Sequence, residues 1–215
     1  MSVSIAPQVF THEFLDMFRV PVTINGKHYP CDLGSVALVY LDDVLAFSIV
    51  EDHLEVVKFV MKTLAKHNLV ARVDKSFIGR TKLKYSGMQL SAKYGISIDP
   101  DTVRACWEAP RPTDAAGVRR FLGMCGYLRS FIPEFGPNSV NLAATLRKGA
   151  AWDWTGKCEQ EYQYLLSCIC SDSCLAPFQW SKSCYLRCDS SGKGYGACLT
   201  QKYGRVYRPV VWISK

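Results

Sequence analysis

Two adjacent carboxylates, Asp42 and Asp43, lie between two short apolar runs, Val36–Tyr40 and Val44–Phe47. Each run is rich in β-forming residues and too short for a helix, so the sequence predicts a strand–turn–strand hairpin. Carboxylate oxygens suit Mg²⁺ or Mn²⁺, and two such ions can activate a hydroxyl and stabilise a leaving phosphate oxygen. Asp-Asp is also ordinary turn chemistry. Because the flanking strands are nearly all apolar, we expect the pair to lie on a buried sheet, where a carboxylate needs a partner or a metal.

Other metal chemistry finds little support. The chain has ten cysteines, but spacings such as Cys168-x-Cys170-x₃-Cys174 match no common zinc pattern. The four histidines (His12, His28, His53 and His67) all lie in the first third of the chain. The N-terminus carries no secretory signal and no apolar run approaches about 18 residues, so we expect an intracellular protein with reduced thiols and no membrane span.

The composition favours folded domains and an anionic partner. The chain has 215 residues, 48% of them hydrophobic, which supports packed cores and excludes wholesale disorder. The formal charge is +7, and residues 104–148 hold seven basic against three acidic side chains. This excess suits a polyanion. The alternative is an ordinary solvated helix face.

The hydrophobic pattern changes from strands to helices near Asp99. Ser48 and Glu51 predict a capping box that opens an amphipathic helix to about His67, and residues 69–98 predict short strands and hairpins. Asp99 and Pro100 then predict the start of a helix, and Thr113 the cap of the next. Further helices are predicted over 137–148 and over Thr155–Ser171, followed by strands that form a partial mixed sheet from 183 onward.

Several motifs in the same order resemble a known family. Tyr40-Leu41-Asp42-Asp43 resembles the YxDD motif of reverse transcriptases, and the surrounding sequence resembles the gypsy-type LTR retrotransposon polyprotein. The further matching segments are Ser4–Phe10, Glu51–Leu54, Tyr85–Leu90, Pro110–Pro112, Val118–Gly123, Trp154–Cys158 and Cys188–Ala197.

This resemblance implies an α+β fold in three parts. They are a partial reverse transcriptase palm over 1–98, a thumb-like helical unit over 99–150, and a connecting helix with the start of a truncated RNase H-like mixed α/β domain over 151–215. The resemblance implies an RNA-directed DNA polymerase with RNase H in the intact parent, in which a primer hydroxyl attacks a deoxynucleotide triphosphate. The partners would be RNA/DNA primer–template and deoxynucleotide triphosphates.

The resemblance also assigns roles to residues. Asp42, Asp43 and Asp189 would be the catalytic residues and the ligands of Mg²⁺ or Mn²⁺. The residues that would bind nucleic acid are Tyr40, Gly87, Met88, Arg119 and Arg120.

Some departures from the family pattern limit this interpretation. The family's polymerase uses a third palm carboxylate and a fingers domain that have no counterpart in these residues, and of four RNase H acidic groups only Asp189 is matched. We therefore expect these 215 residues to be inactive alone. The alternative is a non-catalytic nucleic-acid-binding remnant, or the product of a decayed retroelement gene. Val20–Gly34 resembles an insertion, predicted to be a loop or degenerate junction, and Asp32 within it is a weaker candidate for the third ligand.

Overall fold

The computed structural model describes residues 16–18, 20–29, 36–40, 43–48, 50–149, 151–171, 174–191 and 194–214. The chain divides into two compact units between Arg80 and Thr81. The described elements of the first unit are β1 (Val22–Ile24), β2 (Lys27–Tyr29), β3 (Ala37–Tyr40), β4 (Asp43–Ala46) and α1 (His53–Lys66), with 3₁₀ turns at Val50–Asp52 and Val73–Lys75.

The first unit packs its hairpins against one face of α1. Strands β3 and β4 pair antiparallel from Ala37 opposite Ala46 to Tyr40 opposite Asp43, which confirms the predicted hairpin. The buried residues repeat along α1 at helical spacing and contact both hairpins; they are Val56, Val60 and Leu64 on α1, with Ile24, Val36 and Ala37 on or beside the strands.

The start of α1 differs from the prediction. Asp52 is the N-cap residue, and its side chain makes no capping hydrogen bond. Ser48 Oγ instead lies 3.0 Å from His53 Nδ1. The predicted capping box of Ser48 and Glu51 is therefore wrong, because a 3₁₀ turn over Val50–Asp52 precedes the helix and moves its first residue to His53.

The segment predicted as a loop or junction contains a second hairpin. Strands β1 and β2 pair antiparallel, joined by Asn25 and Gly26. Both residues have positive φ, +50° and +76°, which is the backbone of a two-residue type I′ turn. Residues 30–35, including Asp32, lie outside the described residues.

The second unit contains two sheets and four α-helices among its described residues. The helices are α2 (Pro100–Glu108), α3 (Ala115–Tyr127), α4 (Val140–Ala144) and α5 (Gly156–Cys170), with 3₁₀ turns at Arg129–Phe131 and Pro137–Ser139. The strands are β5 (Lys82–Tyr85), β6 (Met88–Ser91), β7 (Gly95–Ile98), β8 (Cys174–Leu175), β9 (Cys184–Ser191), β10 (Gly194–Tyr203) and β11 (Val206–Ser214).

The core of this unit forms where α3 and α5 meet. Phe121 and Tyr162 stack with ring centroids 4.7 Å apart, and Trp154 meets Tyr162 edge-on at 5.9 Å. Val118 and Leu165 are fully buried in the same cluster. Strands β6 and β7 pack Met88 and Ile96 against this cluster, so the sheet and the helices share one apolar core.

The helix starts follow the predicted pattern with one shift. Asp99 is the N-cap residue of α2 and Pro100 is its first residue, as predicted, but the Asp99 side chain makes no capping hydrogen bond. Lys84 Nζ lies 2.7 Å from the Asp99 carboxylate. Helix α5 starts where the sequence predicts it, and Thr155 is its N-cap residue, whose hydroxyl accepts from Cys158 N. The cap of α3 is Asp114, which accepts from Gly117 N at 2.6 Å, so the prediction of Thr113 is one residue short.

The C-terminal strands form an antiparallel sheet in the order β11–β10–β9. The prediction of a mixed sheet is wrong for the described strands, because only two residues separate β9 from β10 and β10 from β11, too few for the crossover connection that parallel pairing needs. Of the helices that the structure describes, none has the length and apolar character required to span a bilayer.

Candidate functional site

The YxDD hairpin pairs Tyr40, the last residue of β3, with Asp43, the first residue of β4. Asp42 lies outside the described residues. Asp43 is exposed and Tyr40 is 45% exposed. The prediction that the pair lies on a buried sheet is therefore wrong for Asp43, because β3 and β4 form a sheet of only two described strands and Asp43 lies at its end.

A complete metal site is not found among the described residues. Those residues contain no cluster of three His, Cys, Asp or Glu side chains that could hold an ion. The described cysteines are free thiols, and several are buried. Burial raises the pKa of the Cys125 thiol to about 12, so this side chain stays protonated at neutral pH and is a poor metal ligand.

Asp189, the RNase H candidate, lies on an edge strand of the C-terminal sheet, near the end of that strand. It is on β9, opposite Gly196 of β10, and it is exposed. Its Oδ1 accepts a hydrogen bond of 2.9 Å from the Ser190 backbone N–H. The side chain therefore remains accessible to a ligand from solvent.

Gly87 and Met88 form the corner between β5 and β6. Ser86 and Gly87 have φ of +49° and +67°, and they close a two-residue hairpin turn. The Gly87 carbonyl accepts from Asp99 N at 3.2 Å, which fixes the turn to the start of α2. Met88 is half-buried against the core, so a direct contact with nucleic acid would come from the turn.

One face of α3 is exposed and positively charged. Ala116, Arg119, Arg120, Gly123 and Tyr127 are all exposed and recur at helical spacing, and we call this set the α3 stripe. Among the described residues, no ion pair involves Arg119 or Arg120. A Cβ built at Gly123 meets no described atom within 4 Å, so a ligand could approach the helix backbone closely here.

The structure brings the α3 stripe and the Gly87 turn together. The Tyr127 hydroxyl donates to the Ser86 carbonyl at 2.5 Å and lies 2.6 Å from Ser86 Oγ. A Cβ at Gly87 would lie 3.7 Å from the Tyr127 ring. The candidates Gly87, Arg119 and Arg120 therefore belong to one continuous surface. Tyr127 is the joining residue, and no pattern in the sequence pairs it with Ser86.

A buried carboxylate that the sequence did not single out lies in the first unit. Asp52 is 1% exposed and accepts from Asn25 Nδ2 at 2.9 Å, Lys27 Nζ at 2.9 Å and Tyr29 OH at 3.0 Å. Hydrogen bonds from Lys27 and Asn25 lower the pKa of the Asp52 carboxyl, and the bond to Asp52 raises the pKa of Lys27. All three donors come from the β1–β2 hairpin, so Asp52 anchors that hairpin to the start of α1.

Sequence comparisons show that this chain is similar to retroelement proteins. Residues 154–215 match the family described as an RNase H-like domain found in reverse transcriptase. The Retrovirus-related Pol polyprotein from transposon opus of Drosophila melanogaster is 32% identical over 98% of this chain and 21% of its own length. The Transposon Tf2-3 polyprotein of Schizosaccharomyces pombe is 31% identical over 84% of this chain and 14% of its own. The chain thus spans about one fifth or less of these relatives.

Solved structures share the fold. The foamy viral protease-reverse transcriptase dRH in complex with double-stranded DNA has a TM-score of 0.73 at 19% identity, over 97% of this chain and 35% of that one. The foamy viral protease-reverse transcriptase in complex with RNA/DNA hybrid has a TM-score of 0.71 at 18% identity, over 98% and 27%. These comparisons confirm the resemblance to retrotransposon polyproteins and a mixed α/β fold like that of the foamy viral proteins.

Proposed function

We propose that this chain works within a retroelement polyprotein as part of an RNA-directed DNA polymerase with RNase H, and that it binds primer–template nucleic acid. The observation that carries the proposal is the contact between the α3 stripe and the Gly87 turn. That contact joins two exposed arginines, an open glycine and a tight turn into one surface, which has the charge and shape to follow a phosphate backbone.

Each part of this surface has a physical role in binding. Arg119 and Arg120 would contact phosphates and release condensed counterions, which makes binding salt-dependent. Gly123 leaves room for a sugar–phosphate backbone to approach the helix. The Gly87 turn, held by Tyr127 and by Asp99 N, would support the primer end beside Met88. Phosphate contacts position the duplex without reading its sequence.

We assign the segments accordingly. Residues 1–98 would be part of a palm, 99–150 a thumb and 151–215 a connecting helix with the start of an RNase H domain. In the intact parent, Asp42 and Asp43 would hold Mg²⁺ or Mn²⁺ at the polymerase site, with Tyr40 beside them, and Asp189 would hold it at the RNase H site. Bound at the polymerase site, the ion would supply charge stabilisation for nucleotidyl transfer from a deoxynucleotide triphosphate. The described residues include no complete ligand set for such an ion.

Binding of a labelled RNA/DNA primer–template to the 215-residue chain tests the proposal. Fluorescence anisotropy over a salt series gives the dissociation constant and its salt slope. We expect the double variant Arg119→Gln/Arg120→Gln to bind more weakly and to lower the slope by about two, one for each lost phosphate contact. Lys93→Gln, in the turn at the other end of β6 from Gly87, is the matched control. Equal slopes for all three proteins would refute the proposed surface.

A second assay separates catalysis from binding alone. Primer extension with Mg²⁺ should stay at the blank level for these 215 residues, and Asp43→Asn should leave binding unchanged. In a longer chain that also carries the fingers and the upstream palm strand, we expect extension that Asp43→Asn abolishes. A longer chain that binds but never extends would favour the non-catalytic remnant. Extension by the 215 residues, lost on Asp43→Asn, would point to a substitute third ligand, with Asp32 the first to test.

A further inference from the structure

The outer strands of the C-terminal sheet carry a pair of exposed tyrosines. Tyr185 on β9 and Tyr207 on β11 meet across β10, with ring centroids 4.9 Å apart and planes at 89°. The two side chains are 43% and 40% exposed. Edge-to-face contact holds the rings in place while leaving parts of both open to solvent, so they form a small, ordered aromatic surface.

Two cations border the same ring. Arg187 Cζ lies 5.8 Å and Lys202 Nζ lies 5.9 Å from the centroid of Tyr207, both within the range of a cation–π contact. Among the described residues, neither cation forms an ion pair with a carboxylate. We call Tyr185, Arg187, Lys202 and Tyr207 the tyrosine–cation patch. Two positive charges converge there without an acidic partner, which favours an anionic ligand.

The patch is aligned with Asp189. Tyr185, Arg187 and Asp189 alternate along β9, and the unbroken β9–β10 register keeps them on one face of the sheet. At about 3.3 Å per residue, Arg187 and Tyr185 lie roughly 7 and 13 Å from Asp189 along the strand. At about 3.4 Å per nucleotide in each strand of a duplex, that distance corresponds to a few nucleotides.

We propose that the tyrosine–cation patch binds a single strand of nucleic acid, with bases against Tyr185 and Tyr207 and phosphates at Arg187 and Lys202, on a path that leads to Asp189. Stacking on aromatic rings beside a positively charged track is the general mode of sequence-independent single-strand binding. An acidic protein segment would satisfy the charges but would not require the exposed rings. The inference rests on the proposed function only for the class of ligand, because the patch and the α3 stripe share no residue.

Anisotropy with a labelled dT12 oligonucleotide and the 215-residue chain tests the inference. We expect Arg187→Gln/Lys202→Gln to lower the salt slope by about 1.4, since each phosphate contact on a single strand contributes about 0.7. Tyr207→Leu, which removes the ring and keeps an apolar side chain, should weaken binding about tenfold. Tyr207→Phe, which removes only the hydroxyl, and Lys93→Gln should bind like the wild type. Because the charge variants leave the ring pair intact, they test the patch even if Tyr207→Leu unfolds the sheet.

The outcomes distinguish this inference from the proposed function. An unchanged dT12 slope in Arg187→Gln/Lys202→Gln overturns the inference, while a primer–template slope that still depends on Arg119 and Arg120 leaves the proposed function standing. Equal competition by polyglutamate, together with wild-type binding by a folded Tyr207→Leu, shows a purely electrostatic surface and also overturns the inference. A wild-type chain that binds neither ligand overturns both.

Discussion

Replacement of Glu161 should destabilise the second unit more than that of any exposed neighbour. Glu161 lies on α5, is 6% exposed and uses its carboxylate to hold the first turn of α4. It accepts from Asn141 N at 3.0 Å and from Leu142 N at 2.8 Å, and also from Asn141 Nδ2. These backbone N–H groups begin a helix of five residues and have no partner within it. Glu161 therefore caps α4 from a different helix.

The magnitude follows from those bonds. A hydrogen bond to a charged group contributes about 1.5–3 kcal/mol, and a buried donor left without an acceptor costs about 1–3 kcal/mol. We expect Glu161→Ala to cost about 3–5 kcal/mol, since the contributions are not additive. Glu161→Gln keeps one carbonyl oxygen and should cost about 1.5–3 kcal/mol. Gln160→Ala, at the exposed position directly before Glu161 on α5, should change the free energy of unfolding by no more than about 0.5 kcal/mol.

Amide hydrogen exchange is the direct assay, because the chain has two units and one global unfolding transition is not assured. The Leu142 amide is buried and bonded to Glu161, so Glu161→Ala should remove most of its protection. The Leu165 amide, in the middle of α5, should change only as far as the whole unit is destabilised. If Glu161→Ala and Gln160→Ala have the same Leu142 protection and the same denaturation midpoint, the carboxylate does not cap α4 and the reasoning is wrong.

Two further predictions concern other polar anchors. The pKa of Asp52 is lowered in the folded state, so the stability that Asp52 contributes is complete at neutral pH and is lost as the pH falls below about 4. In Asp52→Asn, the free energy of unfolding should therefore fall less steeply with decreasing pH in the acidic range than in the wild type. The same steepness in both proteins would contradict this prediction. Gln201, fully buried, donates from Nε2 to the Gln179 and Lys182 carbonyls and accepts from Gln179 N. Gln201→Leu should lower the free energy of unfolding by about 3 kcal/mol and expose the Gln179 amide to exchange. Retained protection of that amide would show that residues 179–182 keep their conformation without Gln201.

The sequence predicted those helices and strands whose signals lie within a few neighbouring residues. The β3–β4 hairpin follows from two β-rich runs separated by a turn, and its register matches the prediction that both strands meet at the aspartates. The exposure of Arg119 and Arg120 follows from the 3.6-residue period of α3, because that period turns Val118 and Phe121 towards the core and the two arginines away from it. Helix α5 begins at Gly156, within one residue of the predicted start at Thr155. In each case the deciding residues lie within one or two turns of each other.

One local signal in the sequence was missed. Asn25-Gly26 between Val22–Ile24 and Lys27–Tyr29 is the strongest short-range hairpin signal, since both residues tolerate positive φ. The comparison with family spacing led instead to a loop or degenerate junction over 20–34. The hairpin supplies all three donors to Asp52, so the segment that looks inserted is bonded into the first unit at the start of α1.

The features of the structure that could not be predicted are polar contacts between residues far apart in the sequence. These contacts bring together the residues of each candidate surface. Tyr127 bonds Ser86 across 41 residues, and without that bond the Gly87 turn and the α3 stripe have no reason to meet. Hydrophobic periodicity cannot predict this hydrogen bond. A tyrosine on the exposed face of a helix is predicted to face solvent whether or not its hydroxyl has a partner. The same holds for Arg187 and Lys202, which meet one ring from two strands through register alone. Residue types therefore led to nucleic acid as the proposed ligand, while the fold determined which cations lie close together.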